Sequence, residues 1–90
     1  MAADVQRLFL KVITRKGVAF NAEVDSITGQ NNKGDFDVLR QHSQFISLIK
    51  NKLIVRLLDH KIQEIPVDNA VMRVKGDNVE VFVGIKQEKV

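Results

Sequence analysis

The sequence predicts an all-β fold, a two-layer antiparallel sandwich of about ten short strands, and three observations carry that reading. Turn-forming residues recur about every 8 to 12 positions along the whole chain. Between them, apolar residues alternate with polar ones at the two-residue period of a half-buried strand, most cleanly at Leu8, Leu10, Val12 and at Val79, Val81, Val83. No segment demands a long helix.

In order along the chain, Leu8, Leu10 and Val12 form one fully apolar face, while Arg7, Phe9, Lys11 and Ile13 form a mixed face suited to partial cover. Arg15-Lys16-Gly17 reads as a three-residue turn whose glycine can take positive φ, and Val18, Phe20, Ala22 and Val24 resume a single parity, so the two runs pair as a hairpin. At Asp25-Ser26 the apolar parity flips, because Ile27 is odd where Val24 was even, and a slip of this kind predicts a bulge. Gly29 to Gly34 reads as a polar loop, after which Phe36 and Val38 return to even parity. Phe45, Leu48, Ile49, Leu53 and Leu57 also fit a helical stripe. Strands are the better assignment, since Leu53-Ile54-Val55 is rich in β-branched side chains and Asn51-Lys52 makes a plausible turn. Asp59-His60 is the next turn, and Ile62 to Val67 the next strand, with Pro66 implying a sheet edge or a bulge. Val71 to Val74 follows, and Gly76-Asp77-Asn78 closes a hairpin into Val79 to Ile85. The polar stretch Gln87 to Val90 reads as a frayed tail.

Residues 1–90 form one domain on this reading, since no linker divides the apolar segments. The chain has no cysteine, which excludes disulfides, thiolate metal sites and a cysteine nucleophile. The first residues place an acid before the first base, and Lys11 interrupts the apolar run. They fit neither a signal peptide nor a spanning helix, so membrane association is expected only through a partner. The net charge of +3 is spread along the chain, too small and too mixed to indicate nucleic acid.

No motif for bond chemistry is complete. Gly29 and Gly34 have the glycine spacing of a phosphate loop, but Asp35 and Phe36 stand where a lysine and a hydroxyl residue are required, and a carboxylate there repels phosphate. His42 and Ser43 are neighbours whose side chains leave a strand on opposite faces, so the imidazole is badly placed to deprotonate the hydroxyl; it reads as a surface or loop histidine or a contact residue. Asp35 and Asp37 could share a strand face, yet no histidine or third carboxylate at fixed spacing completes a metal site; no metal and no cofactor are expected. Lys50, Lys52 and Arg56, with Arg73 and Lys75, lack the exposed tyrosine or tryptophan on which a single-strand binder would stack bases, and the phenylalanines sit mostly at apolar parity.

The run KGDFDVLRQHSQFISLI, Lys33 to Ile49, resembles one family: the epsilon subunit of the rotary ATP synthases, called delta in mitochondria. Gly34, Asp35, Phe36, Val38, Leu39 and His42 keep that family's order of glycine, acid, aromatic or leucine, two further apolar residues and histidine; Asp37, Arg40, Gln41 and Gln44 depart from it. Leu8 to Val24 is similar to the family's first hairpin, and Val79 to Val83 to its final strand, so the likeness runs from Leu8 to Ile85. The resemblance implies a ten-stranded N-terminal β-sandwich and a mechanical, non-catalytic role, gripping the gamma subunit of the central stalk and resting on the membrane c-ring. By that likeness Asp35, Arg40 and His42 contact the c-ring, while the gamma-facing residues stay unassigned. The same likeness implies a peripheral subunit at the cytoplasmic face of the bacterial inner membrane, or its organelle equivalent, monomeric when alone. Most members continue into a two-helix hairpin, whereas this sequence stops at Val90, so neither ATP binding nor self-inhibition through such a hairpin is expected. A β-sandwich binding module of unrelated role is the alternative.

Overall fold

The computed structural model describes residues 7–67 and 69–84. Nine strands lie among them and no helix, so the ambiguous stretch around Phe45 to Leu57 is extended. The strands are β1 (Leu8–Thr14), β2 (Gly17–Val24), β3 (Ser26–Asn31), β4 (Gly34–Asp37), β5 (Gln41–Ile49), β6 (Lys52–Arg56), β7 (Ile62–Pro66), β8 (Ala70–Gly76) and β9 (Asn78–Val83). They form a five-stranded sheet in the order β2-β1-β9-β8-β5 and a four-stranded sheet in the order β4-β3-β6-β7.

Alternation decides which side chains fill the space between the sheets. Leu8, Leu10, Val12, Met72, Val74, Val79 and Val81 come from the larger sheet and Ile27, Leu53 and Val55 from the smaller, all buried, with no buried polar or charged residue among those described. Phe20, Phe36, Leu57, Ile65 and Val83 pack around this core. The cysteine-free chain therefore depends on apolar burial and backbone ladders.

One pair departs from the expected antiparallel arrangement: β1 and β9 run parallel, with Leu10 opposite Val79 and Val12 opposite Val81. The antiparallel hairpin partner of β9 is β8, which leaves its other edge for β1. Parallel neighbours need a long crossover, and here the excursion through the four-stranded sheet supplies it.

Two expected features become sheet crossings. The parity flip at Asp25-Ser26 is not a bulge but the corner where the chain leaves the larger sheet for the smaller, held by the Asp25 N–H donating to the Arg56 carbonyl at 2.8 Å. A parity slip and a change of sheet invert the inward-facing set alike, so local pattern cannot separate them. The turn expected at Asn51-Lys52 lies one residue earlier, at Lys50-Asn51, where it joins β5 and β6, which lie in different sheets. Asn51 takes φ 70°, and the Lys52 N–H donates to the Lys50 carbonyl at 2.8 Å.

The bulge is elsewhere. In the β1–β2 hairpin Val12 faces Phe20 but Ile13 faces Val18, leaving Ala19 as the extra residue. Val18 therefore turns outward, 57% exposed, instead of sharing the inner face with Phe20 and Val24. The turn itself is Arg15-Lys16, with Gly17 already paired to Thr14 at φ 123°.

The expected loop from Gly29 to Gly34 contracts to a turn at Asn32-Lys33, because β3 continues through Asn31. Pro66 lies on β7, an edge strand, as its missing N–H requires. Gly76 opens the β8–β9 turn at φ 62°. The expected strand end at Ile85 and the tail Gln87 to Val90 lie outside the described residues.

Candidate functional site

The two outer faces of the sandwich differ in character. On the larger sheet the registers align Leu48 on β5, Val71 on β8, Phe82 on β9, Ile13 on β1 and Val18 on β2. At about 4.8 Å between strands, this unbroken apolar row runs roughly 19 Å across all five. Leu48 and Val18 at its ends are exposed, and the three between them are half-buried by their neighbours.

A second row lies two residues along: Ile46, Arg73, Glu80, Lys11, Asn21. Arg73 and Glu80 form an ion pair within it. Beyond that row a concavity toward the Gly76-Asp77 turn is bordered by Phe9, Lys75 and His42.

The outer face of the smaller sheet satisfies its own polar groups. Thr28 Oγ1 donates to Asp37 Oδ1 at 2.9 Å, Gln30 Nε2 donates to Asp35 Oδ1 at 2.9 Å, and Lys52 Nζ lies 3.2 Å from Glu64 Oε1. Ile62, 59% exposed, stands at the far end of that face. Side chains paired across strands in this way suit water, whereas an apolar row across five strands leaves area that a partner can remove from water.

The residues assigned to the c-ring divide between these surfaces. Asp35 is on β4, beside the Asn32-Lys33 turn, its carboxylate oxygen held by Gln30. Arg40 lies in the connection from β4 to β5, exposed, bordering a depression with Asp25, Asp37 and Arg56. His42 is on β5 rather than in a loop, and its side chain is exposed. Arg40 and His42 thus flank the change of sheet, and extended chain of at most roughly 17 Å separates Asp35 from Arg40. His42 and Ser43 sit on one exposed strand with no catalytic partner at hydrogen-bond distance among the described residues.

Sequence reasoning passed over the apolar row. Each strand contributes one member, so no local window contains it; its local trace is an outward apolar residue beside polar ones, Ile13 on the mixed face of β1 with Phe9 and Lys11, and Phe82 on β9.

The family model for the ATP synthase delta/epsilon chain β-sandwich domain matches residues 7–85. The chain belongs to that delta/epsilon family. An ATP synthase epsilon chain from Sulfurimonas denitrificans is 30% identical over 80 residues, covering 88% of this chain and 62% of the relative. One from Nitratiruptor is 34% identical over 77 residues, covering 84% and 60%. This delta/epsilon sandwich therefore spans about three fifths of those curated relatives. A chain of the Euglena gracilis mitochondrial ATP synthase, solved by cryo-electron microscopy as OSCP/F1/c-ring, superimposes with a TM-score of 0.77 at 16% identity, covering 91% of this chain and 53% of that one. A chain of the Tetrahymena thermophila mitochondrial ATP synthase central stalk and c-ring does so at 0.66 and 13%, covering 87% and 63%. At those identities the two structures establish the shared delta/epsilon fold.

Proposed function

We propose that this chain is a central-stalk subunit of an F-type ATP synthase, docking on the gamma subunit and the c-ring so that rotation driven by ions couples to ATP synthesis or hydrolysis. The observation that carries the reading is the uncovered apolar row from Leu48 to Val18 on a domain of the delta/epsilon family. In the assembly the gamma subunit covers that row, where fully removing one large apolar side chain from water contributes about 1.5–3 kcal/mol. Asp35, Arg40 and His42 meet the polar loops of the c-ring, where a carboxylate, a guanidinium and an imidazole supply charged hydrogen bonds. Those are worth about 1.5–3 kcal/mol each when partly desolvated. The subunit performs no bond chemistry; it is a rigid adaptor peripheral to the cytoplasmic face of the bacterial inner membrane.

Affinity-tagged chain expressed with the synthase tests both contacts. The unaltered protein is expected to retain gamma and the c-ring, Val18→Lys with Phe82→Ala to lose gamma, and Asp35→Ala with His42→Ala to lose the ring while keeping gamma. A folded chain that retains neither subunit would refute the central-stalk reading and favour a sandwich of unrelated role.

A further inference from the structure

Each sheet ends in two edge strands, and three of the four carry features that discourage another strand from pairing. β2 has the bulge at Ala19 and an acid at Glu23, β4 is four residues long with two aspartates, and β7 contains Glu64 and Pro66. β5 carries only a register break, confined to its first half between Gln41 and Phe45. It is nine residues long, Gln41 to Ile49, without a formally charged residue or a proline, and among the described residues no strand pairs with its outer edge. Its pairing with β8 is irregular between Gln41 and Phe45 and regular from Phe45 to Ile49.

Side chains at this regular stretch offer apolar contacts on both faces. Ile46 and Leu48 stand outward, 59% and 66% exposed, while Phe45 turns inward and meets Phe36 edge to face. Alongside lies a groove whose wall includes Asn31, Lys33 and Lys50, and neither lysine meets a carboxylate among the described residues.

We infer that the free edge of β5, from Phe45 to Ile49, is a strand-addition site for an extended segment of another protein, apolar at alternate positions and acidic where it passes Lys33 and Lys50. Backbone N–H and C=O groups of alternate β5 residues supply the ladder, Ile46 and Leu48 the outward contacts, and the two ammonium groups set the polarity of the segment. Charge complementarity separates such a partner from a second copy. Laid antiparallel, a second copy sets its own Arg40 to Gln44 stretch, which holds no acid, against Lys33 and Lys50. The site shares Leu48 with the proposed gamma contact, which runs from there across the sheet to Val18 on β2 at the other edge, whereas the free backbone edge and the two lysines belong to this site alone.

Two synthetic peptides of alternating valine and threonine test it, one ending in paired aspartates and the other in paired lysines, with binding followed by fluorescence anisotropy. The aspartate peptide is expected to bind at least about tenfold more tightly and to slow amide exchange at alternate residues of Phe45 to Ile49. Ile46→Lys, or Lys33→Ala with Lys50→Ala should the first variant fail to fold, is expected to weaken binding about tenfold, while Val18→Lys leaves it unchanged. Binding of neither peptide, equal binding of both, or protection confined to other strands overturns the proposal. So does β5 protection that arises without peptide and grows with protein concentration, which would identify the second copy as the occupant.

Discussion

Phe36 and Phe45 meet edge to face across the seam between the sheets, their ring centroids 6.3 Å apart and their planes at 73°. Phe36 belongs to β4 and Phe45 to β5, so the contact ties an edge strand of one layer to an edge strand of the other. Such pairs contribute about 0.5–1.5 kcal/mol beyond buried area. A double-mutant cycle with Phe36→Leu and Phe45→Leu, read by urea denaturation, is expected to show coupling in that range; additive losses would contradict the contact.

Gly29 faces Phe36 in the β3–β4 register, and a Cβ built there would lie 2.9 Å from Phe36 Cζ and 3.1 Å from Ile49 Cδ1. The aromatic ring occupies the place of the missing side chain. Gly29→Ala is expected to cost about 1–3 kcal/mol through overpacking. Adding Phe36→Leu should recover part of that loss in the same denaturation assay, since the offending ring edge is then gone.

Leu53 is fully buried between the layers, whereas Ile62 is 59% exposed on the outer face of the smaller sheet. Leu53→Ala is expected to destabilise by about 2–5 kcal/mol, the transfer term plus a cavity. Ile62→Ala should stay within about 0.5 kcal/mol. Equal shifts in thermal midpoint would mean that the assigned core is wrong.

Asn51 holds the left-handed conformation at the crossing from β5 to β6, where its carbonyl also accepts the Val67 N–H at 2.9 Å. A β-branched residue resists that φ, so Asn51→Val is expected to cost about 1–2 kcal/mol. Asn51→Gly adopts the conformation freely, and its loss should be smaller than that of the valine variant.

Strands that alternate cleanly were legible without coordinates: the inward sets at Leu8 to Val12 and Val79 to Val83, the turn at Gly76 and the edge position of Pro66 all follow from period and turn chemistry. The corners at Asp25 and Asn51 were not, since a chain that changes sheet and a chain that slips by one residue write the same pattern. Gly29 looked like part of a loop because its neighbours are polar, yet Gln30 pairs with Asp35 and extends β3 through it. For the candidate site, the family resemblance identified the domain and named Asp35, Arg40 and His42. Their distribution over the two sheets, and the apolar row built from one residue per strand, depend on registers between distant segments.

The parallel pairing of β1 with β9 brings Phe9 beside Asn78, nearly the whole described chain away in sequence. During synthesis β1 can hold only its hairpin partner β2 until β9 emerges, so the larger layer stays split into two fragments with raw edges. Closure of so long a loop is entropically costly and slow relative to local hairpins. β9, the last strand among the described residues, is therefore a latch: its arrival joins the two fragments and, in the same step, assembles the cross-strand row from Leu48 to Val18, so that the nascent chain presents no continuous apolar stripe before the layer has sealed.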